Sequence, residues 1–202
     1  MKRTTTESKR SDSQLHGRLR TSRMIEESAL ELRRKAGAGP DEPIDVSTCA
    51  GRLHAAITVL DTSHLPVEDK AKLDAMSAKV WSGAAKKMPN GQLQIMLNPN
   101  QTLERMNVTV FEEIAHDYLN HVPSALNETG VPGRSYDRQQ EDEAYWVAAA
   151  TLLPSRVVAQ AVWKGTPGAV VAARYGVSVE LFEFRVKRLN LWSRYAVRIS
   201  AA

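Results

Sequence analysis

The chain has 202 residues, 43% of them hydrophobic and 25% charged, which is ordinary for a soluble globular protein and excludes wholesale disorder; the length suits one sizeable core, or one domain with a small appendage. The net charge of +4 is concentrated in residues 1–23, where Lys2, Arg3, Lys9, Arg10, Arg18, Arg20 and Arg23 stand against Glu7 and Asp12 for +5, leaving −1 for everything else. No uninterrupted apolar run of about 18 residues offers a membrane span, no apolar segment of a secretory signal accompanies the basic tail, and a single cysteine, Cys49, excludes both an intrachain disulfide and a cysteine-based zinc site, so a reducing cytoplasm is expected.

Residues 1–23 read as a disordered, solvated basic tail, with contact to nucleic acid or an acidic partner as the second use of such an arm. Residues 24–37, MIEESALELRRKAG, read as a helix with Met24, Ala29, Leu30 and Leu32 among its apolar positions and Gly37 and Gly39 at its end. Pro40 and Pro43 mark a loop. A short helix then runs into a strand at AAITVL, with Cys49 as a small buried hydrophobe. Residues 78–86 and 92–97 read as strands joined by a turn at Pro89, Asn90 and Gly91; Leu93, Ile95 and Leu97 alternate with other side chains. A mostly helical layer beside a small antiparallel sheet, an α+β arrangement, is the expected architecture.

The next helix, expected from about Asn107 or Thr109 to His121, contains VFEEIAHDYLNH. Phe111, Ile114, Ala115, Tyr118 and Leu119 form an apolar stripe about 100° wide that can dock on a core. Glu112 and His116 stand one turn apart at its edge with Glu113 beside them. This is the spacing of the zinc-peptidase motif H-E-x-x-H, with glutamate in place of the first histidine. After a Gly- and Pro-containing loop (122–136), QQEDEAYWVAAATLLP reads as a helix stopped by Pro154. Glu141 shares a face with Ala144, Ala148 and Leu152 and is expected inside, where a carboxylate needs a cation or a protonated histidine; Glu143 is expected in solvent. Beyond residue 155, Thr166 and Pro167 would open a short helix, Gly176 would close it, and Ser178 would cap a second, VELFEFRVKRLNLW.

Packing thus gathers Glu112, His116 and Glu141 as ligands of a divalent metal with one position open to water, and Glu113 as the base that takes a proton from that water. Two carboxylates with one imidazole make Mn²⁺ or Fe²⁺ more competitive with Zn²⁺ and the bound water less acidic than two imidazoles would. The plainer reading of E-x-x-x-H is an ordinary one-turn ion pair. His121 falls about 140° around the helix from His116 and is read as an end residue. Asp117 is read as solvent-facing, and Tyr145 as a core or rim aromatic near enough to bind a substrate carbonyl.

From Met24 to Leu191 the chain resembles the ImmA/IrrE family of metallopeptidases. The matching features run in order: IEESA (25–29), the strand QIMLN (94–98), Arg105 before the motif helix, the motif itself, EDEA with AAATLLP (141–154), and GVSVELFEFRVKRL near the C-terminus. The resemblance implies a zincin-like fold, with His116 and Glu141 matching metal ligands and Glu113 the catalytic base, while Glu112 occupies a histidine position and departs from the pattern. It further implies a cytoplasmic metal-dependent endopeptidase of mobile elements or stress regulation, acting on a helix-turn-helix repressor or antitoxin-type regulator. The expected organisation is a basic tail (1–23), a peptidase-like domain (24–154) and a C-terminal helical extension packed on the core (155–202). A catalytically impaired protein-binding relative is the alternative. A DNA-binding module, using Arg185, Lys187 and Arg188 with the basic arm, is a more distant one.

Overall fold

The computed structural model describes residues 22–72, 81–121 and 137–199. The first described helix, α1, spans Ser22–Lys35. Its buried stripe, Ile25, Ala29, Leu32 and then Ala36, follows the helical period counted from Ile25, and of its other apolar positions Met24 and Leu30 face solvent. Arg33 lies on the buried side. Its Nε and Nη2 donate to the Gly39 carbonyl at 2.9 and 2.6 Å, Nη1 donates to the Thr151 carbonyl at 2.5 Å, and Nη2 also reaches Glu42 O. Short helix α2 (Val46–Arg52), capped by the Asp45 side chain, feeds strand β1 (Ala55–Val59).

Strands β2 (Gly83–Lys87) and β3 (Leu93–Leu97) complete a three-stranded sheet of order β1-β3-β2. The two pair antiparallel through the expected turn, with Met88 N donating to Gln92 O and Gly91 at φ +82°. β1 runs parallel to β3, Ala55 opposite Leu93 and Val59 opposite Leu97. The sheet is therefore mixed, not wholly antiparallel: after β1 the chain crosses to the far side of β3 before returning, as a parallel pair requires. Residues 78–80 of the expected strand lie outside the described residues, as does the 122–136 loop.

Helix α3 (Leu103–Tyr118) begins a full turn earlier than the sequence indicates, because Thr102 supplies the cap by accepting from Arg105 N at 3.3 Å; Arg105 accordingly sits in its first turn. Helix α4 (Arg138–Leu152), capped by Asp137, packs on both α3 and α1. Its run of Ala144, Val147, Ala148, Ala149 and Ala150, all fully or nearly buried, lets the backbones approach closely.

The C-terminal part holds four helices: α5 (Ser155–Lys164), α6 (Gly168–Tyr175), α7 (Val179–Arg188) and α8 (Trp192–Ile199). Ser178 caps α7 as expected, but Thr166 makes no side-chain cap, and Pro167 holds the cap position of α6. The helix read through to Trp192 breaks instead at Asn190, whose φ of +57° ends α7 and turns the chain into α8. Gly168 is required by close approach, since a Cβ there would lie 2.7 Å from Tyr195 Oη and 2.8 Å from Phe182 Cδ1. Arg185 ties this part to the rest: Nη2 meets Glu26 Oε1 at 2.7 Å and Nε donates to the Leu153 carbonyl at 3.0 Å.

Candidate functional site

Helix α3 buries Phe111, Ile114 and Ala115 and thereby holds Glu112, Glu113 and His116 along its flank, half-exposed. Helix α4 lies against it and brings Glu141 to His116, with His116 Nε2 and Glu141 Oε2 3.6 Å apart. That is close to the separation of roughly 3.3 Å expected for two ligands each about 2 Å from one tetrahedral ion. Glu112 meets Arg105. Its Oε2 lies 3.3 Å from Arg105 Nη2, and the same guanidinium donates to Ser82 Oγ at 2.9 and 3.2 Å, which anchors it beside β2.

The electrostatics follow this layout. Burial pushes the Glu112 carboxyl up, a tendency that Arg105 opposes and the Glu141 charge reinforces. Burial would lower His116, but the hydrogen bond and charge of Glu141, joined by Glu113 and Glu112, outweigh it and hold the imidazole above its usual value. Tyr145 is raised by burial and then by the Glu112 charge, which places its hydroxyl in the same field; its ring packs edge-on against Phe184 at 5.0 Å.

Two side chains that sequence reasoning set aside belong to the cluster. His121 Nδ1 is 3.0 Å from His116 Nδ1, and His121 Nε2 is 3.4 Å from Glu143 Oε2. The 140° offset assumed an unbroken helix, whereas α3 ends at Tyr118 and Asn120 enters the left-handed region at φ +53°, so the chain folds back and His121 N donates to His116 O at 3.0 Å. An asparagine at a helix end is the signal that could have shown this. Glu143 is buried, not solvated, and Glu141 is the more open of the two; because α4 packs on two helices, its inward face is broad enough to include position 143 beside Val147 and Ala150. Asp117 is exposed and pairs with Lys87 Nζ at 2.6 Å.

As chemistry, the donors suit a divalent ion: two carboxylates and an imidazole are competent ligands for Zn²⁺, Mn²⁺ or Fe²⁺. As placed, His116 and Glu141 face one another but Glu112 is held by Arg105, and among the described residues no three His, Cys, Asp or Glu side chains converge closely enough to hold an ion. A cavity of about 320 Å³ between α5 and α6, lined by Gln160, Lys164, Arg174 and Tyr175 among others, includes none of these residues.

The cations proposed for a recognition helix are engaged within the protein. Arg185 is buried on Glu26, Lys187 Nζ lies 4.4 Å from the Trp192 ring centre, and Arg188 stacks 3.9 Å from that of Trp146.

Among known families, the model of the IrrE N-terminal-like domain, Peptidase_M78, matches residues 69–187. No curated protein matches the chain. Among solved structures, a transcriptional regulator from Mycobacterium tuberculosis aligns with a TM-score of 0.50 at 15% identity, over 78% of this chain and 45% of that one. At such identity the likeness is one of fold, and this chain spans less than half of that regulator's length.

Proposed function

The chain belongs to the IrrE N-terminal-like (Peptidase_M78) family, and on that premise we propose that it is a metal-dependent endopeptidase acting on a helix-turn-helix repressor or antitoxin-type regulator. The observation that carries this reading is the meeting of His116 on α3 with Glu141 on α4 at 3.6 Å, one helical turn from Glu112 and beside Glu113. Glu112, His116 and Glu141 would hold the ion. When bound, a divalent ion supplies Lewis acidity to a scissile carbonyl and to water. Glu113 takes the proton from the attacking water and passes it to the leaving amine, and the Tyr145 hydroxyl, kept protonated by burial, donates to the substrate carbonyl. The family and the fold shared with a transcriptional regulator support a regulatory protein as the partner. No helix among the described residues is long and apolar enough to cross a membrane. We further assign residues 24–154 to the peptidase-like unit and 155–202 to an extension held on it by Arg185; of the expected basic tail, Ser22 and Arg23 open α1 and residues 1–21 lie outside the described residues.

One observation favours a second reading: the ion pair of Arg105 with Glu112 already satisfies the residue that stands where a histidine ligand would be. In that form the protein binds its regulator without cutting it. The test is metal content by mass spectrometry on protein purified without a metal-binding tag, together with incubation with helix-turn-helix regulators from the same genome. Stoichiometric metal lost in His116→Ala, and cleavage lost in a folded Glu113→Gln, support the peptidase. Stable binding of a regulator with neither metal nor cleavage supports the second reading.

A further inference from the structure

The cavity between α5 and α6 lies apart from the α3 cluster, and its lining divides by chemistry. Its volume of about 320 Å³ falls at the small end of the roughly 300–1,000 Å³ that ligand sites span. Val157, Ala161, Val171 and Tyr175 supply apolar walls, the last three of them buried, while Gln160, Lys164 and Arg174 line it from exposed positions. The left-handed turn at Gly165 (φ +70°) folds the chain back from α5 into α6, so one cleft receives a cation from the last turn of each helix.

Those two cations lack a carboxylate. Asp41 is the one acid among the lining residues, and it meets Arg156 Nε at 3.2 Å. Among the described residues neither Lys164 nor Arg174 pairs with an acidic side chain, and Arg174 lies 5.8 Å from the Tyr175 ring centre. The surrounding charge has the same sign, since residues 155–202 carry 2 Lys and 6 Arg against 2 Glu. The Tyr175 hydroxyl donates to the Asp41 carbonyl at 2.6 Å, so the cleft stands where the extension meets the loop after α1.

We propose that this cavity binds a small organic anion, a carboxylate or phosphate group carried on a short apolar body. Lys164 and Arg174 take the acid group through charge-assisted hydrogen bonds, and Val157, Ala161 and Val171 cover the body. An ammonium compound of the same size meets two like charges and is rejected. The site goes beyond the peptidase reading and holds whether or not the α3 cluster takes an ion.

The test uses the full chain with hexanoate, phenyl phosphate, inorganic phosphate and hexylamine as probes. Hexanoate or phenyl phosphate should bind saturably in calorimetry with a Kd of about 1 mM or below, raise the melting temperature, and shift the methyl resonances of Ala161 and Val171. The tighter of the two identifies the acid group. Lys164→Gln combined with Arg174→Gln, both at exposed positions, should weaken that binding about tenfold or more and leave the melting temperature of the free protein unchanged. Hexylamine that binds as tightly as the anions overturns the proposal. So does inorganic phosphate that binds as tightly as phenyl phosphate, because the apolar walls would then contribute nothing. Absence of saturable binding of hexanoate and phenyl phosphate up to about 10 mM, or equal binding by the double variant, also overturns it. If the double variant does not fold, the wild-type spectrum decides, and shifts confined to residues outside the cavity refute the site.

Discussion

Arg33 and Arg185 lie within the helical layer at 1% and 2% exposure, and their donors are taken up by backbone carbonyls and by Glu26. Along the flank of α3, by contrast, the side chains of Glu112, His116 and Glu141 keep 20%, 25% and 36% of their surface open. Burial lowers the pKa of both arginines, yet in each case the surrounding oxygens satisfy the group. In the α3 cluster Glu141, Glu113 and Glu112 all act on one imidazole, and the Arg105 guanidinium lies against Glu112. A polar group whose role is to lock helices together is enclosed and paired, whereas a cluster left half open, with carboxylates facing a shared edge, retains capacity for a cation or a substrate.

The largest effect should come from breaking the enclosed side of this contrast. Arg185→Met leaves Glu26 facing an apolar side chain and the Leu153 carbonyl unpaired, and should cost about 3 kcal/mol of unfolding free energy in urea titrations. A loss below about 1 kcal/mol would mean that the pair is not what holds α7 to α1. On the open side, Glu112→His exchanges the carboxylate paired with Arg105 for an imidazole. Zinc affinity should rise about tenfold or more, read by chelator competition, with stability little affected. Unchanged affinity would show that Glu112 is not at a ligand position.

Ser178→Ala removes the acceptor for Leu181 N at the start of α7 and should cost about 1 kcal/mol in the same titrations. The Asp137 cap gives a pH signature. Hydrogen bonds from the Gln140 and Gln139 amides depress its folded pKa below the ordinary aspartate range, so its contribution is present above the unfolded value of about 3.9 and is lost as pH falls through the folded value. Asp137→Asn keeps an acceptor without the titration, and its melting temperature should fall less steeply than the wild type's under acidification. Smallest of all, Asp117→Asn breaks an exposed pair with Lys87 and should change stability by less than about 1 kcal/mol.

Much of the fold is legible residue by residue. The alternation of Leu93, Ile95 and Leu97, the turn at Gly91, the stripe of Phe111, Ile114 and Ala115, and the stop at Pro154 are local patterns that match the elements observed. What was not legible depends on partners distant in sequence. The parallel pairing of β1 with β3 is a matter of crossover, not of strand composition. The burial of Arg33 requires carbonyls at Gly39, Glu42 and Thr151, and nothing in LELRRK distinguishes it from Arg34, which meets Glu31 on the surface.

An amphipathic helix with Glu112, Glu113 and His116 on one edge, and a second acidic helix beyond it, follow from local order alone, because side-chain period and capping are properties of neighbouring residues. Which acid meets which base depends on how the helices pack. Glu141 faces His116, Glu143 is drawn in beneath His121, and Glu112 turns to Arg105. The reason is physical: α4 packs against two helices at once, so its inward face is wider than one periodic stripe, and the left-handed turn at Asn120 takes His121 off the line that an unbroken helix would have followed.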